Sequence, residues 1–132
     1  MSRIIALTEA ASIAIHGMII LARSEGSVSV NQIAEVNNSS RHHVAKIFQR
    51  LVKEGYVSSN RGPNGGFLLK KSADKITLLD IYEVIEGRLS THHCPLEKPI
   101  CPFDQCIFEN KIKEMAEDFR DFLQSRTLLD YQ

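Results

Sequence analysis

Residues 30–57, VNQIAEVNNSSRHHVAKIFQRLVKEGYV, contain two helical patterns separated by a short polar break. The S-x-x-Q spacing that begins at Ser29 is that of a capping box, which predicts a short helix over residues 30–36. Asn tolerates a left-handed backbone and Ser caps helices, so residues 37–39 predict a tight turn. Over residues 40–54 the apolar side chains recur at i, i+3, i+4, i+7 and i+8, and a glycine follows. The pattern therefore predicts a helix-turn-helix.

A β-hairpin is expected directly after these helices. Residues 56–59 and 67–70 are short β-like runs, and the sequence RGPNGG at residues 61–66 joins them. Pro, Asn-Gly and Gly-Gly are typical of a hairpin turn that requires positive φ. A hairpin after a helix-turn-helix forms a winged helix, so the predicted fold is mainly α with a small β-hairpin wing.

Three further helices are expected outside this module. Thr8 is placed to cap a helix that runs to about Arg23, in which His16 is expected to be a buried core histidine. Thr77 is placed to cap a helix over residues 78–86. A long C-terminal helix is predicted over about residues 108–125, with apolar side chains at alternating spacings of four and three, the seam of a helix that packs along a partner helix. These are Phe108, Ile112, Met115, Phe119 and Phe122.

Charge is distributed unevenly along a chain whose formal net charge is zero. Residues 41–71 contain seven Lys or Arg and one acid, for a balance of +6, whereas residues 72–132 contain seven bases and twelve acids, for −5. A basic middle segment in an otherwise acidic protein favours a nucleic-acid surface. The length of 132 residues and the hydrophobic content of 43% are ordinary for one globular domain, with or without an added arm.

In a winged helix the second helix lies in the major groove, and its N-terminal residues face the base edges. Lys53, Lys70 and Lys71 are expected to contact phosphate, and the glycine- and proline-rich turn presents its side chains to the minor groove. The alternative is a solvated basic surface or a protein-interaction module that binds no DNA. The candidate DNA-binding residues are Ser40, Arg41, His42, His43, Lys46, Gln49, Arg61, Gly62 and Pro63.

All three cysteines, Cys94, Cys101 and Cys106, lie within thirteen positions of a proline-rich segment. The spacing is neither that of a zinc ribbon nor a Cys-x-x-Cys redox pair. An iron–sulfur cluster, whose thiolate ligands need not lie along one turn, suits it better. His92 and His93 are further candidate ligands, and direct thiol sensing without a metal is the alternative. The chain also lacks a signal-peptide pattern, a membrane-spanning stretch and the common catalytic motifs, so a cytoplasmic protein that is not an enzyme is expected.

The helix-turn-helix, the wing sequence RGPNGGF at residues 61–67 and the three cysteines before a long C-terminal helix together resemble the Rrf2 family of bacterial winged-helix transcriptional regulators. That family includes iron–sulfur cluster regulators and nitric-oxide sensors. The resemblance implies a homodimer on a palindromic operator in double-stranded DNA, with Arg61 and Pro63 in the minor groove. Cluster-type relatives have a Glu where Ala45 stands, which implies a different operator sequence here.

The resemblance also implies a [2Fe–2S] or [4Fe–4S] cluster held by the three cysteines. For the fourth ligand it implies Glu9, from the other subunit, with Glu109 as the second choice. Either acid has an ordinary alternative role as a favourable charge at a helix N-terminus. The expected organisation is a DNA-binding domain over residues 1–87, a cluster-binding cysteine loop over 88–106, and a dimerisation helix with a tail over 107–132. The sequence does not specify the signal, the cluster type, the operator, or whether the cluster-loaded form binds DNA.

Overall fold

Five α-helices and a two-stranded antiparallel hairpin are found in residues 7–89 and 102–132, the parts of the chain that the computed structural model describes. The described chain is therefore mainly helical with a small hairpin, as predicted. None of its helices is long and apolar enough to cross a membrane. The α-helices and strands, in chain order, are α1 Glu9–Arg23, α2 Val30–Asn37, α3 Arg41–Lys53, β1 Val57–Asn60, β2 Gly66–Leu69, α4 Leu78–Glu86 and α5 Lys111–Ser125.

Polar side chains begin the helices where the sequence predicted them. The Thr8 hydroxyl accepts a hydrogen bond from the Ala11 amide at 3.1 Å, and Ser29 forms the predicted capping box with Gln32. Thr77 forms a second capping box, with Asp80, at the start of α4. These caps satisfy amides that have no partner within the helix, and each typically contributes about 1 kcal/mol.

The core lies between α1, α3, α4 and the hairpin. Phe48 of α3 is fully buried, and its ring centroid lies 5.0 Å from that of Phe67 on β2. Helix α1 approaches α3 closely at Gly17, where an added Cβ atom would lie 2.6 Å from the Phe48 ring. Helix α3 and the hairpin therefore pack against the same buried residues.

The C-terminal residues pack back onto this core. Helix α5 contacts α4, with the rings of Phe119 and Tyr82 edge to face at 5.9 Å. After α5, Leu128 is fully buried in a short 3₁₀ helix, Leu128–Tyr131, and its amide donates to the Ile76 carbonyl at 3.0 Å. The end of the chain is thus joined to the residues that precede α4. The proposed division of the chain at residues 87 and 106 stays a prediction.

The prediction for His16 was wrong. Its ring is exposed, and Nδ1 lies 2.7 Å from the carbonyl oxygen of Ser12, one turn earlier in α1. The buried face of α1 runs through Ala14, Met18 and Leu21, and His16 falls on the side of the helix away from it.

Candidate nucleic-acid interface and thiol segment

Helix α3 presents its basic side chains to solvent. Its apolar stripe is buried from Val44 to Leu51 and half-buried at Val52, so the opposite face is turned outward. The Ser40 side chain caps the helix by accepting from the His43 amide at 3.1 Å. His43 itself is half-buried. Four predicted DNA contacts form an exposed set that we call the reading face: Arg41, His42, Lys46 and Gln49.

The turn before α3 fixes its direction. Asn38 has φ 51° and ψ 47°, the left-handed conformation that the sequence predicted for this turn. The amide of Ser39 donates to the Ala34 carbonyl at 2.9 Å, closing the end of α2. Helix α2 in turn buries Ile33 and Ala34 in the core. The reading helix is therefore held at both its cap and its packed face.

The wing, residues 57–69, has an exposed tip. Arg61, Gly62 and Pro63 are all exposed, and the tip closes with a hydrogen bond from the Gly65 amide to the Gly62 carbonyl at 2.9 Å. Gly62 has φ 107°, a conformation that glycine adopts readily. Hence the side chain of Arg61 is accessible from solvent, as a groove contact requires.

Three hydrogen bonds attach the wing to the segment between α1 and α2. The Ser27 hydroxyl donates to the Asn64 carbonyl at 2.8 Å, and Val28 and Phe67 exchange two backbone hydrogen bonds at 3.0 and 2.8 Å. Gly66 allows this approach, because a Cβ atom there would lie only 2.5 Å from the Val28 carbonyl oxygen. These contacts therefore position the wing against the segment between α1 and α2.

The basic side chains of the interface are not neutralised by nearby acids. Within residues 7–89 and 102–132 the ion pairs are Lys111–Glu114 and Lys113–Glu117, both on α5, and neither involves the reading face or Arg61. An unpaired exposed cation remains available for phosphate. The Nζ atom of Lys71, predicted to contact phosphate, lies 4.5 Å from the centroid of the Tyr56 ring, and the phosphate contact stays a prediction.

Burial raises the pKa of the Tyr56 hydroxyl above its ordinary value, and repulsion from nearby carboxylates adds to the effect. The contributing acids are Asp80, Glu54 and Glu83.

Sequence reasoning missed Arg50. One guanidinium nitrogen, Nη2, donates to the carbonyl oxygens of Val84 and Ile85 at 2.8 and 3.0 Å. Those carbonyls belong to the last turn of α4, so Arg50 connects the reading helix to a distant part of the chain. The only local signal is a basic residue beside the apolar stripe of α3, and that position does not identify its acceptors.

Only one of the three cysteines lies within the described residues. Cys106 is exposed and forms no disulfide, whereas Cys94 and Cys101, with His92 and His93, lie outside those residues. The Cys106 carbonyl accepts from the Glu109 amide at 3.0 Å in the turn before α5, and Glu109 is exposed. Across the described ranges, no three His, Cys, Asp or Glu side chains come together as a metal site.

The other predicted ligand, Glu9, lies exposed in the first turn of α1. Its neighbour Thr8 donates a hydrogen bond to the carboxylate of Glu86, in the last turn of α4. The predicted donor set of three thiols and one carboxylate, with exposed members at Cys106 and Glu9, fits an iron–sulfur cluster chemically, since thiolates are its usual ligands. The ligand set itself stays a prediction.

Helix α5 has two apolar faces. One faces the protein's own core through Ala116 and Leu123, with Phe119 partly buried against Tyr82. The other is exposed and carries Met115 and Phe122, seven residues apart, with 55% and 47% of each residue accessible. Phe108, 45% accessible, lies in the turn before the helix. Phe119 of the predicted seam therefore packs within its own chain, whereas Met115 and Phe122, with Phe108 just before the helix, form the exposed α5 stripe.

Comparisons with known proteins agree on one family. The family model Rrf2, described as an iron-dependent transcriptional regulator, matches residues 7–131. An HTH-type transcriptional regulator of Aquifex aeolicus is 36% identical over 106 residues, covering 78% of this chain and 74% of the relative. The solved structure of CymR, the global cysteine regulator of B. subtilis, superposes with a TM-score of 0.79 at 29% identity, covering 96% and 95% of the two chains. IscR of T. potens gives a TM-score of 0.75 at 27% identity, covering 96% and 85%.

Proposed function

Since the chain belongs to the Rrf2 family of transcriptional regulators, we propose that it is a cytoplasmic, homodimeric repressor that binds a palindromic DNA operator under the control of an iron–sulfur cluster. The DNA-binding part of this proposal rests on helix α3. Its reading face is exposed and forms no ion pair within the described residues, and the wing is anchored beside it. In this arrangement Lys46 and Arg41 donate to guanine, Gln49 pairs with adenine, and Arg61 enters the minor groove.

Salt-dependent titration of the protein with duplex DNA tests this part. Each phosphate contact contributes a slope of about −0.9 in log affinity against log salt concentration. Arg61→Ala is expected to weaken binding and to make that slope shallower. Lys113→Ala is the matched control, because Lys113 is an exposed base on α5, outside the basic segment. Binding that is independent of salt, or weakened equally by both substitutions, would contradict the proposed interface.

The exposed α5 stripe supports the homodimer. Met115 and Phe122 are seven residues apart on α5, the spacing of a seam between helices, and leaving them in water together with the neighbouring Phe108 is unfavourable. A second copy of α5 provides a matching surface, since a two-fold interface uses the same patch on both subunits. Two reading faces would then be available for the two halves of a palindrome.

The cysteine pattern and the family description as iron-dependent support the cluster. Cys94, Cys101 and Cys106 would supply thiolates, and Glu9 of the second subunit would supply the fourth ligand. A carboxylate is a poor match for soft iron and exchanges readily with an incoming molecule, which suits a sensor. Held by these ligands, the cluster would give the protein an iron centre that can be lost, or can change its oxidation state, when conditions change.

Anaerobic purification followed by visible absorption, iron and sulfide analysis tests for the cluster. Cys106→Ser is expected to remove or weaken the absorption, whereas Glu9→Ala is expected to leave a less stable cluster. Protein that stays colourless after anaerobic reconstitution would exclude the cluster, and DNA binding would still be tested separately.

The exposed Cys106 thiol favours a second candidate, a regulator that responds to oxidants directly through its thiols. One of the solved structures that superpose on this chain is that of a global cysteine regulator. Formation of a disulfide or sulfenate in metal-free protein under mild oxidant, together with a change in operator affinity, would favour this candidate over the cluster.

A further inference from the structure

Arg50 lies on α3 one turn after Lys46 of the reading face, but its guanidinium is directed to a different element. Nη2 donates to the carbonyl oxygens of Val84 and Ile85, at 2.8 and 3.0 Å, in the last turn of α4. Carbonyls in the last turn of a helix have no partner within the helix and carry the negative end of its dipole. Arg50, an exposed residue, therefore links α3 to α4 through two charge-assisted hydrogen bonds.

The end of α4 is held by two more contacts. The Glu83 carboxylate accepts from the Leu89 amide at 2.9 Å, and the Glu86 carboxylate accepts from the hydroxyl of Thr8 at the start of α1. We call these contacts, together with those of Arg50, the α4 junction. It brings together α3, the first turn of α1 and the point where the chain leaves α4.

The chain that leaves this junction continues into residues 90–106, the segment that contains all three cysteines. Leu89, just before that segment, is buried with only 6% of its surface exposed, so the departure point is fixed in the core. Any rearrangement of the cysteine segment that displaces the end of α4 would act directly on the guanidinium of Arg50, and through it on α3.

We propose that Arg50 is the positioning residue that couples the state of the cysteine segment to the orientation of the reading helix. This inference rests on the proposed function, because it requires operator affinity to differ between two states of that segment. Arginine suits the role because its planar guanidinium presents five fixed donors, whereas lysine presents a compact charge on a flexible chain.

The test measures operator affinity of cluster-loaded and metal-free protein at one salt concentration, and compares the ratio of the two affinities between variants. Couplings of this kind typically correspond to about 5- to 150-fold. Arg50→Gln is expected to reduce the wild-type ratio at least about threefold, toward one. Arg50→Lys, which keeps the charge, is expected to give an intermediate ratio.

Lys53→Gln is the matched control, because it removes an exposed base three residues further along α3 that forms no hydrogen bond or ion pair within the described residues. Loss of a phosphate contact lowers the affinity of the cluster-loaded and metal-free forms by the same factor. The ratio of these two affinities for Lys53→Gln is therefore expected to stay within about twofold of the wild-type ratio. An Arg50→Gln ratio equal to that of wild type overturns the inference. A wild-type ratio of one overturns the cluster control itself, and the coupling with it.

Hydrogen exchange at the Gly87 and Leu89 amides gives a second measurement that requires no cluster. The amide of Gly87 donates to the Glu83 carbonyl at 3.0 Å, so both amides report on the last turn of α4 and its exit. In metal-free protein, Arg50→Gln is expected to accelerate their exchange at least about threefold, whereas Lys53→Gln is expected to leave it unchanged. Equal exchange in the two variants would show that Arg50 does not hold the junction, and would also overturn the inference.

Discussion

Replacing Gly66 with Ala tests how the wing is anchored. The added Cβ atom would lie 2.5 and 2.6 Å from the carbonyl oxygen and carbon of Val28 and 3.0 Å from the Ser29 nitrogen. All three atoms belong to the backbone, so no side chain can rotate away to relieve the overlap. The wing and the segment between α1 and α2 would have to separate.

The cost follows from the contacts that this separation disturbs. Overpacking of this kind typically costs about 1–3 kcal/mol. Weakening the hydrogen bonds between Val28 and Phe67 adds about 0.5–1.5 kcal/mol for each bond lost. Alanine rarely adopts the φ of 157° that Gly66 has, so no gain from a stiffer unfolded chain is expected to offset this cost. With both hydrogen bonds lost the total is about 2–6 kcal/mol, which lowers the midpoint of thermal unfolding by roughly 6–25 °C in a domain of this size.

Denaturant unfolding of Gly66→Ala and Gly26→Ala provides the assay. A Cβ atom on Gly26 meets nothing within 4 Å, so that variant is expected to stay within about 0.5 kcal/mol of wild type. Gly66→Ala is also expected to bind DNA more weakly at temperatures where it remains folded, because Arg61 would be displaced with the wing tip. Equal stabilities for the two variants would refute the account of the wing anchor.

The remaining predictions concern the dimer, the reading helix and pH. Phe122→Glu introduces a charge into the exposed α5 stripe and is expected to convert the dimer to monomer in sedimentation experiments. The control Gln124→Glu, at another exposed position of α5, is expected to remain a dimer. A dimeric Phe122→Glu protein would contradict the assignment of the stripe to the dimer interface. Ser40→Ala removes the cap of α3 and is expected to cost about 1 kcal/mol in denaturant unfolding, with weaker DNA binding; unchanged stability would argue against the cap. The pKa of Tyr56 is raised in the folded protein, so its contribution to stability is present below about pH 10 and is lost as the pH rises through the raised pKa. Tyr56→Phe is therefore expected to make the alkaline loss of stability shallower, and an unchanged pH profile of unfolding would contradict this.

Local signals predicted the winged helix well. Thr8, Ser29 and Thr77 cap the helices that the sequence assigned to them, because a cap requires only a few neighbouring residues. The strands Val57–Asn60 and Gly66–Leu69 differ from the predicted β-runs by one residue at each end. Such shifts are expected where backbone pairing, rather than side-chain pattern, sets the boundary.

The predictions that failed depend on tertiary contacts or on unusual backbone. Helix α5 begins three residues later than its apolar pattern suggests, because Glu109 and Asn110 adopt left-handed φ values of 52° and 60°. His16 lies in an apolar helix, but its exposure depends on which side of α1 meets the core. The acceptors of Arg50 are 34 and 35 residues away in sequence, so no local pattern identifies them.

The most direct test of the cluster-controlled regulator is the operator affinity of one anaerobic preparation, measured by fluorescence anisotropy before and after the cluster is removed. The proposed function predicts that the affinity changes by about 5- to 150-fold in either direction. It also predicts no such change in a variant with Cys94, Cys101 and Cys106 all replaced by Ser. Equal affinity of the wild-type protein in both states, or the same change in the triple variant, would contradict it.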